Sequence, residues 1–110
     1  GHAAAFGVDV TCTYTRGYPA TINSPDQSAF ASQVAEEVCG TALLETDRTR
    51  EMGAEDFSYL LEKRPGCYLF LGQGEGAAWH NAAFDFNDEV SPVGASFFAR
   101  LVERAQPLEQ

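Results

Sequence analysis

The sequence predicts an α/β layered fold, and three observations carry that expectation. Residues 7–15 alternate strictly: Val8, Val10, Cys12 and Tyr14 face one way, Asp9, Thr11, Thr13 and Thr15 the other. That is the period of a half-buried strand with one wet face. Two segments with apolar residues at helical spacing each open on a Ser-Pro pair, Ser24-Pro25 and Ser91-Pro92. Finally, Cys67–Leu71 is almost wholly apolar, as for an interior strand covered on both faces.

The elements follow in order. The opening strand ends at Arg16-Gly17-Tyr18-Pro19. Ser24 is placed to cap a helix, Pro25 fits its first position, and Gln27 completes a capping box. Phe30, Val34 and Val38 then recur every four residues beside Ala31 and Ala35, and Gly40 stops the helix. Ala42-Leu43-Leu44 within 41–46 reads as a short apolar strand, and 47–52 as a charged connection. Phe57, Leu60 and Leu61 form a second helical stripe between Glu55-Asp56 and Lys63-Arg64, charges that suit the helix dipole. Pro65-Gly66 breaks it before the interior strand. A long loop follows the Gly-rich run 72–76, and a last helix carries Val93, Phe97, Phe98, Leu101 and Val102 on its inner face. A boundary near Pro19–Ser24 sets the opening strand in a different sheet from the rest.

Net charge is −9 and the isoelectric point is near 4.4. That argues against nucleic acid and anionic membranes as partners, since both need a basic footprint. No apolar run approaches the roughly 20 residues of a membrane span, and no signal segment opens the chain. Three widely spaced cysteines (Cys12, Cys39, Cys67) without a Cys-x-x-Cys pair fit a reducing, cytoplasmic setting.

His80 is the focus of the chemistry. The only other histidine is His2, at the extreme N-terminus. Around His80, Trp79, Asn81, Asp85, Asp88 and Glu89 crowd into one loop, and the polar members are candidates to orient its ring. A second cluster is Glu55-Asp56, either helix-cap partners or, with Gly53 and Ala54, the wall of a pocket. The run 72–76 lacks the spacing and the lysine of a phosphate loop. One histidine and scattered carboxylates do not complete a catalytic metal site, so the remaining ligands are expected outside this chain.

Met52-Gly53-Ala54-Glu55-Asp56-Phe57-Ser58, Pro65-Gly66-Cys67-Tyr68 with Leu71-Gly72, and His80-Asn81 with Phe84-Asp85-Phe86-Asn87-Asp88 closely resemble the C-terminal part of the hippurate hydrolase and N-acyl amino acid amidohydrolase family. That family belongs to the two-metal aminoacylases and carboxypeptidases. Arg16-Gly17-Tyr18-Pro19-Ala20-Thr21-Ile22-Asn23 resembles its exit from the lid domain. The resemblance implies that residues 1–22 end a lid or dimerisation domain. It likewise implies that 23–110 close a mixed-sheet, layered metallopeptidase catalytic domain. By the same resemblance His80 ligates a divalent metal pair (Zn, Mn, Co or Ni), Gly53, Ala54 and Glu55 border the substrate pocket, and no catalytic residue lies within the chain. The implied reaction is hydrolysis of an N-acyl amino acid, such as an N-benzoyl one, to a carboxylic acid and an amino acid. The metals would activate a water and polarise the amide carbonyl, and a glutamate outside this chain would move the proton.

The expectation for these 110 residues alone is therefore a C-terminal portion that holds no metal pair, hydrolyses nothing, and self-associates through exposed edges. Two alternatives are a non-catalytic α/β binding or regulatory module, and a small enzyme whose site forms across a homodimer.

Overall fold

Pro25 fixes a helical φ where no N–H is needed, and from it α2 runs over Pro25–Cys39 in the computed structural model, which describes residues 1–107. It is preceded by a single turn, α1 (His2–Ala5), and followed by α3 (Phe57–Leu61) and α4 (Ser91–Ala105). Short 3-10 turns stand at Thr41–Leu43 and Asp88–Val90.

The three helices expected from apolar spacing are present, but the mixed sheet is not: no strand forms among the described residues, which corrects the α/β expectation. A strand exists only as one side of a hydrogen-bonded pair, and alternation states a face preference without supplying a partner. Residues 7–15 are exposed throughout. The Thr41–Leu43 segment coils into a 3-10 turn, its Leu43 N–H reaching back to Gly40. Cys67–Leu71 is not covered on both faces, since Leu69, Phe70 and Leu71 are about half exposed.

The caps also differ in detail. Ser24 accepts the first intrahelical bond through its carbonyl, from the Ser28 N–H at 2.9 Å. Its hydroxyl turns away from the helix and accepts from the Gly66 N–H at 3.2 Å, so no capping box forms. At the other end Gly40 takes φ 81°, ψ 155°, a region essentially reserved for glycine, and its N–H bonds Glu36 at 2.8 Å.

α2 and α4 pack together. Val34 and Ala31 are the buried apolar residues of the described chain. Glu37 of α2 reaches Arg100 of α4 at 2.7 Å and also pairs with Arg104. Gly94 lets α4 approach Leu71, whose Cδ2 would lie 3.4 Å from an added Cβ. The segment 66–68 is tied to the start of α2 by four hydrogen bonds: Ser24 N–H to the Gly66 carbonyl (2.9 Å), Gly66 N–H to the Ser24 hydroxyl (3.2 Å), and a reciprocal pair between the Asn23 side chain and the Tyr68 backbone.

The result is an open molecule. Its radius of gyration is 20.4 Å, whereas a compact chain of this length would have about 13 Å. Its accessible surface is 9834 Å², against about 5,900 Å² expected for a compact protein of this mass.

Candidate functional site

Glu55 lies at the entry to α3 and is held from three sides. Its carboxylate accepts the Phe57 N–H at 3.0 Å. Its carbonyl accepts the hydroxyl of the fully buried Ser58 at 2.5 Å and the Ser58 N–H at 3.2 Å. The Phe57 N–H, then the Tyr68 hydroxyl and Asp56, hold the Glu55 carboxyl below its ordinary range, and Glu55 in turn pushes the Tyr68 hydroxyl up. The N–H group at this helix start is thus taken by the protein's own carboxylate. Gly53 and Ala54 are exposed on the approach to it, with open space around the Gly53 Cα.

From Glu55 a file of aromatic rings runs towards the His80 loop. Phe57 and Tyr68 have centroids 5.5 Å apart, Tyr68 and Phe70 5.3 Å, and Phe70 and Trp79 5.8 Å. Trp79 precedes His80 in the chain. The file therefore connects the two clusters singled out in the sequence, one at each end.

His80 stands in a turn with φ 64°, the one non-glycine residue at positive φ among those described. Such a conformation costs a β-carbon-bearing residue free energy and is held here by its surroundings. Asn81 makes the turn: its N–H bonds the Ala78 carbonyl at 3.2 Å and its side chain accepts the Ala83 N–H at 2.8 Å. Gln73 braces the far side, donating to the Asp85 carbonyl (3.2 Å), accepting the Asn87 N–H (3.3 Å), and receiving the Asn87 amide on its own carbonyl (3.2 Å). Asn87 also accepts the Glu89 N–H at 3.0 Å and so starts the turn into α4.

The loop is thus built by amides. Asn81, Asp85, Asp88 and Glu89 make no hydrogen bond to the His80 ring among the described residues, contrary to the orienting role anticipated for them. The imidazole is exposed. An open cleft beside the loop, about 450 Å³, is lined by Gln73, Glu75, Asp85, Asp88 and Glu89 but not by His80. Among the described residues no three His, Cys, Asp or Glu side chains converge on a point that suits a metal ion. His80 fits the role of a single donor; the described residues do not fit a metal pair by themselves. Cys12, Cys39 and Cys67 are all free thiols.

Asn23, Gln73 and Asn87 were not legible as positioning residues in the sequence. Their partners lie 45 and 14 residues away in the chain. A lone glutamine among four nearby glycines and alanines was the one available hint. No helix among the described residues is long and apolar enough to cross a membrane.

Comparison with known proteins bears on this geometry. The model of Peptidase family M20/M25/M40 matches residues 6–104. Hippurate hydrolase of Campylobacter jejuni is 31% identical over 101 residues, covering 92% of this chain and 26% of that protein. Thermostable carboxypeptidase 1 of Saccharolobus solfataricus is 33% identical over 89 residues, 76% of this chain and 22% of that protein. The putative amidohydrolase YhaA of Bacillus subtilis is 30% identical over 104 residues, 90% of this chain and 26% of that protein. The chain spans about a quarter of the length of these curated relatives. No solved structure matches it. A match across nearly the whole described chain, taking in both the Glu55 and the His80 clusters, means that the chain belongs to Peptidase family M20/M25/M40, a family of hydrolases.

Proposed function

We propose that this chain serves the metal-dependent hydrolysis of N-acyl amino acids, releasing a carboxylic acid and an amino acid. One observation supports the reading above others: the single loop imidazole, His80, stands exposed, with no intramolecular hydrogen bond among the described residues, inside a segment shared with amidohydrolases. In this reading His80 gives one ring nitrogen to a divalent cation, and Gly53, Ala54 and Glu55 line the substrate's approach. The other donors and the proton-transferring group come from polypeptide outside these 110 residues, because the described donor set offers one ligand where such chemistry needs several. The 110-residue chain alone then has no amidase activity. Its free, unpaired thiols support a cytoplasmic setting. Its exposed Val8, Val10, Tyr14 and Ile22 support self-association through apolar faces rather than through sheet edges.

The test replaces the matching segment of the Campylobacter jejuni relative with residues 6–104 of this chain and assays hippurate cleavage. A chimera that cleaves hippurate, and loses both bound metal and cleavage on His80→Ala, is the expected outcome. Cleavage that survives His80→Ala refutes the ligand assignment, and cleavage by the 110-residue chain alone refutes the need for outside donors.

A further inference from the structure

We propose that Arg48, Phe70 and Trp79 form a recognition subsite for an aromatic N-acyl amino acid, Arg48 taking its carboxylate and the two rings its acyl group. The proposal rests on the amidohydrolase reading and names the residues that recognise the substrate. The Arg48 guanidinium carbon lies 4.2 Å from the centre of the Phe70 ring. The ring holds one side of the guanidinium, while its N–H groups radiate in its own plane and suit a bidentate carboxylate. One of those groups, at Nη2, pairs with Glu51 at 2.6 Å. The two side chains are 42% and 56% exposed, and a pair so open to water contributes little. An incoming carboxylate can therefore take the place of Glu51.

The apolar half of the subsite is just as open. Phe70 and Trp79 are 49% and 57% exposed. Their rings are inclined at 40° with centroids 5.8 Å apart, and the exposed sides of both rings are open to packing by a third. The charge of the chain sharpens the argument. At a net −9 it repels anions, so an anionic substrate needs a local cation. Arg100 and Arg104 pair with Glu37 between α2 and α4, whereas Arg48, though paired with Glu51, lies over the Phe70 ring of the aromatic file that leads to His80.

Trp79 is the only tryptophan, so binding can be read without metal or turnover. The metal-free chain is titrated with benzoylglycine and with N-methylbenzamide, which has the ring and amide but no carboxylate. Saturable change in Trp79 emission is expected, with N-methylbenzamide about tenfold weaker, as for loss of one charge-assisted contact. Arg48→Gln brings benzoylglycine down to the N-methylbenzamide level, and Glu51→Gln, which removes the internal competitor, tightens it. Far-UV circular dichroism checks that both variants keep their helices. Equal binding of the two ligands, no effect of Arg48→Gln, or no saturable response overturns the subsite. Carboxylate-dependent binding by a chain whose chimera is inactive sinks the hydrolase reading and leaves the subsite standing. An active chimera whose KM ignores Arg48→Gln sinks the subsite alone.

Discussion

Asn23 sets its side-chain amide against the backbone of Tyr68, donating to the Tyr68 carbonyl at 2.9 Å and accepting the Tyr68 N–H at 2.7 Å. The amide thus does for Tyr68 what the peptide of a neighbouring strand would do. It joins the start of α2 to the segment that carries the aromatic file, and through Tyr68 it steadies Glu55.

Removing this pair should therefore be costly. Asn23→Ala leaves two half-buried backbone groups without partners and is expected to cost about 1–3 kcal/mol in urea unfolding. Asn23→Asp keeps the acceptor and loses the donor, and should fall between the two. Equal stability of Asn23→Ala and wild type would mean that water replaces the amide at no loss.

The buried centre between α2 and α4 gives a second test. Val34 is fully buried, and Val34→Ala should cost about 2 kcal/mol through lost transfer energy and a cavity. Met52→Ala, at a fully exposed side chain, should change stability by less than about 0.5 kcal/mol.

The acid response follows from Glu37 and Glu55. Arg100, then Arg104, keep the Glu37 carboxyl below its ordinary pKa, and the Phe57 N–H, then Tyr68 and Asp56, do the same for Glu55. A folded-state pKa below the unfolded value means that this stabilisation is fully present above the ordinary carboxylate range. It is lost as pH falls through the depressed folded values. Unfolding midpoints should thus fall below about pH 4.5, and less so in Glu37→Gln. Added salt should weaken the Glu37 contribution, which lies at the surface.

His80 offers a prediction in which stability and function part company. With φ 64°, His80→Gly relieves the backbone and should raise stability by up to about 1 kcal/mol. His80→Ala keeps the strain and should not. Both remove the imidazole, so both should abolish whatever divalent-metal affinity calorimetry finds in the chimera. A loss of stability in His80→Gly would show that the turn depends on the ring.

How much of this was legible in the sequence depends on the range of the forces. Helices α2 and α4 were legible because their 3.6-residue spacing and Ser-Pro starts are local signals. The expected strands failed because their hydrogen-bond partners are not local. Residues 7–15 find none among the described residues, and Tyr68 finds a side chain 45 residues away. Residue type alone drew attention to His80 and Glu55. Of the polar neighbours expected to orient the His80 ring (Asn81, Asp85, Asp88 and Glu89), none hydrogen-bonds it among the described residues, and the amides of Gln73, Asn81 and Asn87 build its loop through contacts that spacing does not reveal.

With an apolar interior that comes down, among the described residues, to Ala31 and Val34, the molecule has little oily surface left to uncover when it comes apart. Its calorimetric endotherm should be broad, with a heat-capacity step well below the roughly 1.5 kcal/mol/K of a compact chain this long. Its stability curve should accordingly be flat, so that cooling neither strengthens nor undoes the α2–α4 pair, much as for an isolated helical hairpin.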